Sequence, residues 1–109
     1  MGKIINIVGA GLAGSECALQ LADRGIHVKL YEMRPNRTTP VHHSNLCAEL
    51  VCSNSMKSTK ADSAAGMLKF ELEHFGSKLL KVALTHRVPA GGALAVDRDR
   101  FAREVTDLI

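Results

Sequence analysis

Three glycines with a fixed spacing directly follow an apolar run near the start of the chain. The run covers residues 4–8, and the glycines are Gly9, Gly11 and Gly14. Such a turn between a strand and a helix predicts a site for a dinucleotide pyrophosphate, because bare backbone approaches the phosphates and the helix packs closely on the strand. The N–H groups and dipole at the start of the helix then face the negative charge. The candidate site consists of Gly9, Ala10, Gly11, Leu12, Ala13 and Gly14.

A carboxylate after the next apolar run extends this pattern. The spacing predicts a helix over residues 12–24 and a strand over 27–32, which ends in Glu32, 18 residues after the last glycine of the turn. An acid at this place hydrogen-bonds the hydroxyl groups of an adenosine ribose. With a first strand over 3–8, the sequence predicts a βαβ unit over 3–32 that binds a dinucleotide. A glycine turn that serves only packing is the alternative.

Arg34 lies two residues after this acid. In nicotinamide enzymes, an arginine near this place accepts the 2′-phosphate of NADP. Glu32 would repel that phosphate, so the pair favours FAD or NAD over NADP. We therefore expect both residues to be near the cofactor.

The remaining chain divides into three predicted regions. They are a loop with a short helix over 33–58, a helix and a strand over 66–84, and a glycine-rich turn with a helix over 89–109. Within them, the short helix is placed over 46–52 and the strand over 79–84, while residues 88–96 are expected to be flexible. Asp97 is a suitable N-cap for the last helix. That helix would bury Phe101, Val105 and Leu108.

Length and charge limit the class of protein. The chain has 109 residues, which suffices for one small domain but is too short for a complete two-lobed flavin or nicotinamide enzyme. The net charge is +3, and the excess cations lie in residues 34–60. A basic loop beside a nucleotide site favours phosphate or RNA, and a solvated loop is the alternative. Three cysteines and no secretory or membrane-spanning segment predict a cytoplasmic protein without membrane association.

The cysteines and histidines do not predict a metal site. Cys17 is expected on the inner face of the first helix, where it would pack in the core, and Cys47 is expected to be structural. The spacing of the polar pair His42 and His43 from Cys47 and Cys52 matches no usual zinc finger. We therefore predict no bound metal.

Four stretches together resemble one known family. They are GAGLAGSE (9–16), YEMRP (31–35), AELVCSNS (48–55) and PAGGALAVDR (89–98). Many flavoproteins share the first two, whereas the last two are far more specific. The chain resembles the N-terminal part of the folate- and FAD-dependent tRNA uracil-5-methyltransferases, a family related to the flavoprotein that modifies wobble uridines in tRNA. The resemblance implies the N-terminal portion of a Rossmann-like, FAD-binding α/β domain, with the remainder of that domain absent.

The resemblance also implies an activity. A one-carbon unit passes from methylenetetrahydrofolate, with FAD as cofactor and NADH or NADPH as reductant, to a T-loop uridine of tRNA, giving 5-methyluridine. Folate and tRNA are the implied partners. The alternatives are another FAD- or NAD-dependent oxidoreductase, a wobble-uridine-modifying flavoprotein, or an inactive nucleotide-binding remnant.

Residue by residue, the resemblance assigns the FAD pyrophosphate to residues 9–14 and the adenosine ribose to Glu32. The turn that holds Asp97 resembles one that approaches the cofactor in related flavoproteins, although a helix cap alone is the simpler interpretation. Cys52 lies in the motif whose cysteine is implicated in catalysis, and a thiolate that adds to carbon 6 of uracil activates the neighbouring carbon. A buried structural cysteine is the alternative.

Overall fold

The strands of the protein form two separate sheets, one parallel and one antiparallel. The computed structural model describes residues 2–109. Strands β1 and β2 pair in parallel, and the second sheet has the order β3-β5-β4. The elements are β1 (Ile4–Val8), α1 (Leu12–Asp23), β2 (His27–Tyr31), β3 (Ser55–Ser58), α2 (Ala64–His74), α3 (Lys78–Thr85), β4 (Arg87–Val88), β5 (Ala93–Val96) and α4 (Arg98–Leu108). This arrangement confirms the predicted α/β class.

The predicted βαβ unit is present. The parallel register runs from Ile4 opposite His27 to Val8 opposite Tyr31, and α1 connects the two strands. The prediction that Cys17 packs in the core is wrong, because its side chain is exposed. Helix α1 turns a different face inward, where it packs against α3. The buried residues of that face are Ser15, Ala18 and Leu19.

The hydrophobic core lies between α3, α4 and β5. Phe101 and Val105 of α4 are fully buried there, as predicted, while Leu108 is exposed near the end of the helix. Asp97 is the N-cap of α4, because its carboxylate accepts a hydrogen bond from the Arg100 N–H at 3.1 Å. The buried core residues are Leu19, Ala48, Leu79, Leu80, Val82, Ala83, Leu94, Val96, Phe101 and Val105.

Residues 79–84, which were predicted as a strand, form most of α3 instead. Two side chains satisfy the first N–H groups of this helix. Ser77 is its N-cap, and the Glu16 carboxylate accepts from the N–H groups of Lys78 and Leu79 at 2.9 and 3.0 Å. The prediction of a strand was wrong because a short apolar run is compatible with a strand or a helix. In addition, Glu16, one of the two side chains that cap the helix, lies far away in the sequence. The face that α3 buries consists of Leu79, Leu80, Val82 and Ala83.

Two further segments differ from the predictions. Residues 46–52 form turns and irregular backbone, not a helix, because Ala48 adopts a left-handed φ of 54° that interrupts helical geometry. Residues 93–96, predicted as flexible, form the central strand β5 of the antiparallel sheet, where Leu94 and Val96 are buried. In residues 2–109 no helix combines the length and the apolar character that crossing a membrane requires.

Candidate functional site

The glycine turn between β1 and α1 is shaped by backbone contacts. Gly9 has a φ of +99°, which favours glycine, and its N–H donates to the Tyr31 carbonyl oxygen at 2.7 Å. A Cβ atom on Gly14 would lie 1.8 Å from the Gly9 oxygen, so the helix can start here only with glycine. A Cβ atom on Gly11 would meet nothing within 4 Å. Gly14 is therefore required for packing, whereas Gly11 faces open space.

The start of α1 offers N–H groups to an anion. Gly11 is the N-cap, and no described side chain caps the helix. The first backbone bond of the helix runs from the Ser15 N–H to the Gly11 oxygen at 3.0 Å. The N–H groups of the first turn therefore lack a helical acceptor, and both Leu12 and Ala13 are exposed. This open backbone fits the pyrophosphate of a dinucleotide.

The Glu32 carboxylate lies beside this turn. Its Oε2 atom accepts from the Ala10 N–H at 3.3 Å and from the Arg34 Nη2 at 2.9 Å, while Oε1 accepts from the Arg34 N–H at 3.3 Å. The hydrogen bond from the Arg34 side chain is the main reason why the pKa of Glu32 falls from 4.5 to about 2, and burial opposes this shift. A carboxylate offers about four acceptor positions, so room remains for a ribose hydroxyl.

The Arg34 side chain is held inside the protein by three contacts. Its side chain is 2% exposed, and it contacts Glu32, the Ser44 carbonyl oxygen at 3.0 Å and Glu49 at 3.7 Å. Its buried Nε atom has no hydrogen-bond partner within residues 2–109. Arg34 thus orients the Glu32 carboxylate through the contact between their side chains.

Cys52 and Asp97 line one open cleft of about 540 Å³. Cys52 is exposed, so the alternative of a buried structural cysteine is wrong. Asn54 fixes the cleft wall, because its side-chain amide donates to the Val96 oxygen at 3.2 Å and its own carbonyl accepts from the Val96 N–H at 2.9 Å. The lining residues are Cys52, Ser53, Asn54, Val88, Val96, Asp97, Arg98 and Asp99.

The segment that ends at Cys52 also contacts the glycine turn. The Ala48 N–H donates to the Ala10 oxygen at 2.8 Å, and the Leu50 oxygen accepts from Arg98 at 3.4 Å. Cys52 follows Ala48 by four residues, and four residues of extended chain span at most about 14 Å. The backbone of Cys52 therefore lies no farther than about 14 Å from the residue that contacts the turn. Cys47, in contrast, packs partly buried against the core.

Sequence reasoning missed Glu49, the acid that joins these parts. Burial acts to raise its pKa, but hydrogen bonds from the Ser44 hydroxyl and the His43 N–H outweigh this effect, and the pKa is lowered. The sequence feature that could have indicated its importance is that Glu49 is the one acid in the basic segment 34–60.

In the part of the chain that the structure describes, the histidines of this segment do not form a metal site with the cysteines. The His42 ring forms a hydrogen bond with the Thr39 hydroxyl, and residues 2–109 contain no group of three His, Cys, Asp or Glu side chains that could hold a metal.

Comparison with known protein families matches residues 4–109 to the family described as glucose inhibited division protein A. The chain belongs to this family. It is also 56% identical over 109 residues to the methylenetetrahydrofolate–tRNA-(uracil-5-)-methyltransferase TrmFO of Lactobacillus helveticus, covering 100% of this chain and 27% of that protein.

Relatives with the same name occur in other bacteria. Those of Pseudothermotoga lettingae and Desulfitobacterium hafniense are 58% and 56% identical, each over 96% of this chain and 24% of the relative. The chain therefore spans about a quarter of the length of the curated relatives it matches. The motifs that carry the resemblance all lie within the matched region.

Proposed function

We propose that this chain is the FAD-binding part of an enzyme that methylates uracil in tRNA. Methylenetetrahydrofolate would be the one-carbon donor, a T-loop uridine the acceptor and 5-methyluridine the product, with NADH or NADPH as reductant in the cytoplasm. The observation that carries the proposal is a glycine turn with open N–H groups, joined by one short segment to an exposed cysteine. The names of the relatives reported above agree with it.

The residues present fit the adenosine diphosphate half of FAD. The open backbone at residues 11–13 would hold the pyrophosphate, and the space beside Gly11 leaves room for it. Glu32 would accept hydrogen bonds from the ribose, since its low pKa keeps it ionised at neutral pH. Arg34 holds the carboxylate in place, and Asp97 fixes the start of α4 at the edge of the cysteine cleft. When bound, FAD supplies redox chemistry and carries the one-carbon unit.

Two roles of Cys52 fit its exposed position. As a nucleophile, its thiolate would add to carbon 6 of the uracil, and the displaced electron pair would activate carbon 5. As a thiol beside the cofactor, it would instead contact the flavin. Both roles require access from the cleft that Cys52 shares with Asp97.

The test uses the protein at its full encoded length. We expect purified protein to carry a flavin absorbance spectrum and to transfer label from methylenetetrahydrofolate to a T-loop RNA. Replacement Cys52→Ser should abolish transfer while flavin remains bound, whereas Cys17→Ser, at an exposed cysteine on α1, should leave transfer unchanged. Protein without flavin would contradict the proposal. Label in an anticodon-loop RNA instead would favour the wobble-uridine alternative.

A further inference from the structure

Five residues, including Ala10, form a closed ring of contacts. The Ala10 N–H donates to Glu32 at 3.3 Å, and the Ala10 carbonyl oxygen accepts from the Ala48 N–H at 2.8 Å. On the far side, Arg34 pairs with Glu32 at 2.9 Å and with Glu49 at 3.7 Å. Glu49 directly follows Ala48 in the chain, so the ring is complete. We call Ala10, Glu32, Arg34, Ala48 and Glu49 the Glu49 ring.

Most of the ring is buried, although the Glu32 side chain is 20% exposed. Ala10 and Ala48 are 1% and 0% exposed, and the side chains of Arg34 and Glu49 are 2% and 11% exposed. A buried ion pair seldom stabilises a protein more than apolar side chains of similar volume would. Ala48 also holds a φ of 54°, a conformation that costs a residue with a side chain roughly 1–3 kcal/mol. The ion pairs and the strained backbone make the ring a candidate for a role in positioning as well as in stability.

Glu49 also fixes the polar loop in front of the ring. Its carboxylate accepts from the Ser44 hydroxyl and from the His43 N–H, the latter at 3.1 Å. The Ser44 carbonyl oxygen accepts from Arg34 at 3.0 Å. The Glu49 carboxylate thus holds the loop at residues 43–44 close to Arg34, the residue that pairs with Glu32.

We propose that the Glu49 ring couples cofactor binding at the glycine turn to the placement of Cys52, with Glu49 as the positioning residue. The inference rests on the proposed FAD site. A pyrophosphate on the first turn of α1 would fix the backbone next to Ala10, and a ribose would fix Glu32. Both contacts hold members of the ring, and only two residues separate Glu49 from Cys52.

The experiment compares the reactivity of individual cysteines in protein of full encoded length. Each protein is alkylated with N-ethylmaleimide, with and without saturating FAD, and peptide mass spectrometry follows every cysteine. In the unaltered protein, we expect FAD to slow the alkylation of Cys52 about fivefold or more, the lower end of ordinary coupling between two sites. Exposed Cys17 on α1 serves as an internal control and should show no such change.

The variant Glu49→Gln should still bind FAD, as measured by quenching of flavin fluorescence, but FAD should no longer slow the alkylation of Cys52. The matched control Glu71→Gln removes an exposed carboxylate that makes no hydrogen bond within the described part of the chain, and it should behave like the unaltered protein. The variant Ser44→Ala removes one hydrogen bond to the Glu49 carboxylate but leaves the charge of Glu49 in place. In this variant, FAD should slow the alkylation of Cys52 less than in the unaltered protein.

The outcomes separate the two proposals. An unaltered protein that does not bind FAD overturns both. FAD binding with equal slowing in Glu49→Gln and the unaltered protein overturns the inference alone, because the flavin would then shield the thiol directly. If Glu49→Gln does not unfold cooperatively and is therefore misfolded, the result for Ser44→Ala is used instead. Slowing of Cys52 alkylation by FAD that is as large in Ser44→Ala as in the unaltered protein would then overturn the inference.

Discussion

The parallel pair β1–β2 and the antiparallel half of the protein differ sharply in burial. Val8 and Tyr31 of the parallel pair are 87% and 52% exposed, whereas Phe101 and Leu94 in the other half are completely buried. The glycine turn belongs to the exposed unit, but the Ala48 contact connects it to the core. Stability and the proposed chemistry therefore come from different parts of this chain, and the segment around Ala48 connects them.

The largest effect is expected in the core. Phe101→Ala should lower the free energy of unfolding by about 3–5 kcal/mol, because a large aromatic side chain leaves a cavity. In contrast, Val8→Ala on the exposed strand should change it by no more than about 0.5 kcal/mol. Urea denaturation followed by circular dichroism measures both values. Equal losses for the two variants would mean that the parallel pair carries as much of the stability as the core.

Two glycines in the turn allow a finer comparison. A Cβ atom on Gly14 would overlap the Gly9 oxygen, so Gly14→Ala should destabilise the turn by about 1–3 kcal/mol and also impair FAD binding. A Cβ atom on Gly11 would meet open space, so Gly11→Ala should weaken FAD binding with little loss of stability. Thermal unfolding and flavin titration of both variants check this separation. Similar stability losses would contradict the assignment of Gly11 to ligand approach.

The parts of the structure that could be predicted from the sequence are those determined by residues close together in the chain. The βαβ unit, the glycine turn and the Asp97 cap each follow from residues close together in the chain. Helix α3 and the irregular segment around Ala48 were not predicted, because distant partners determine them. Glu16 caps α3 from 62 residues away, and Ala48 adopts its conformation against Ala10, which precedes it by 38 residues.

The low pKa of Glu32 predicts a pH dependence beside the glycine turn. Because the pKa falls from 4.5 in the unfolded chain to about 2 in the folded protein, ionised Glu32 stabilises the fold above about pH 4.5. That contribution should disappear progressively as the pH falls from 4.5 towards 2. The free energy of unfolding, measured across this window, should decrease less steeply in Glu32→Gln. An identical slope in both proteins would contradict the hydrogen-bonded state of this carboxylate.

The smallest effects are expected at the helix caps, where the same substitution can be made on α3, which packs in the core, and on α2, which has one buried residue. Ser77→Ala removes the cap of α3, which packs in the core, and should cost about 1 kcal/mol of global stability. Ser63→Ala removes the cap of α2, a helix with Gly66 as its one buried residue, so local fraying should absorb most of the loss. Hydrogen exchange distinguishes these cases, because Ser77→Ala should accelerate exchange throughout the core, whereas Ser63→Ala should accelerate it in α2 alone. Core-wide acceleration by Ser63→Ala would show that α2 unfolds together with the core.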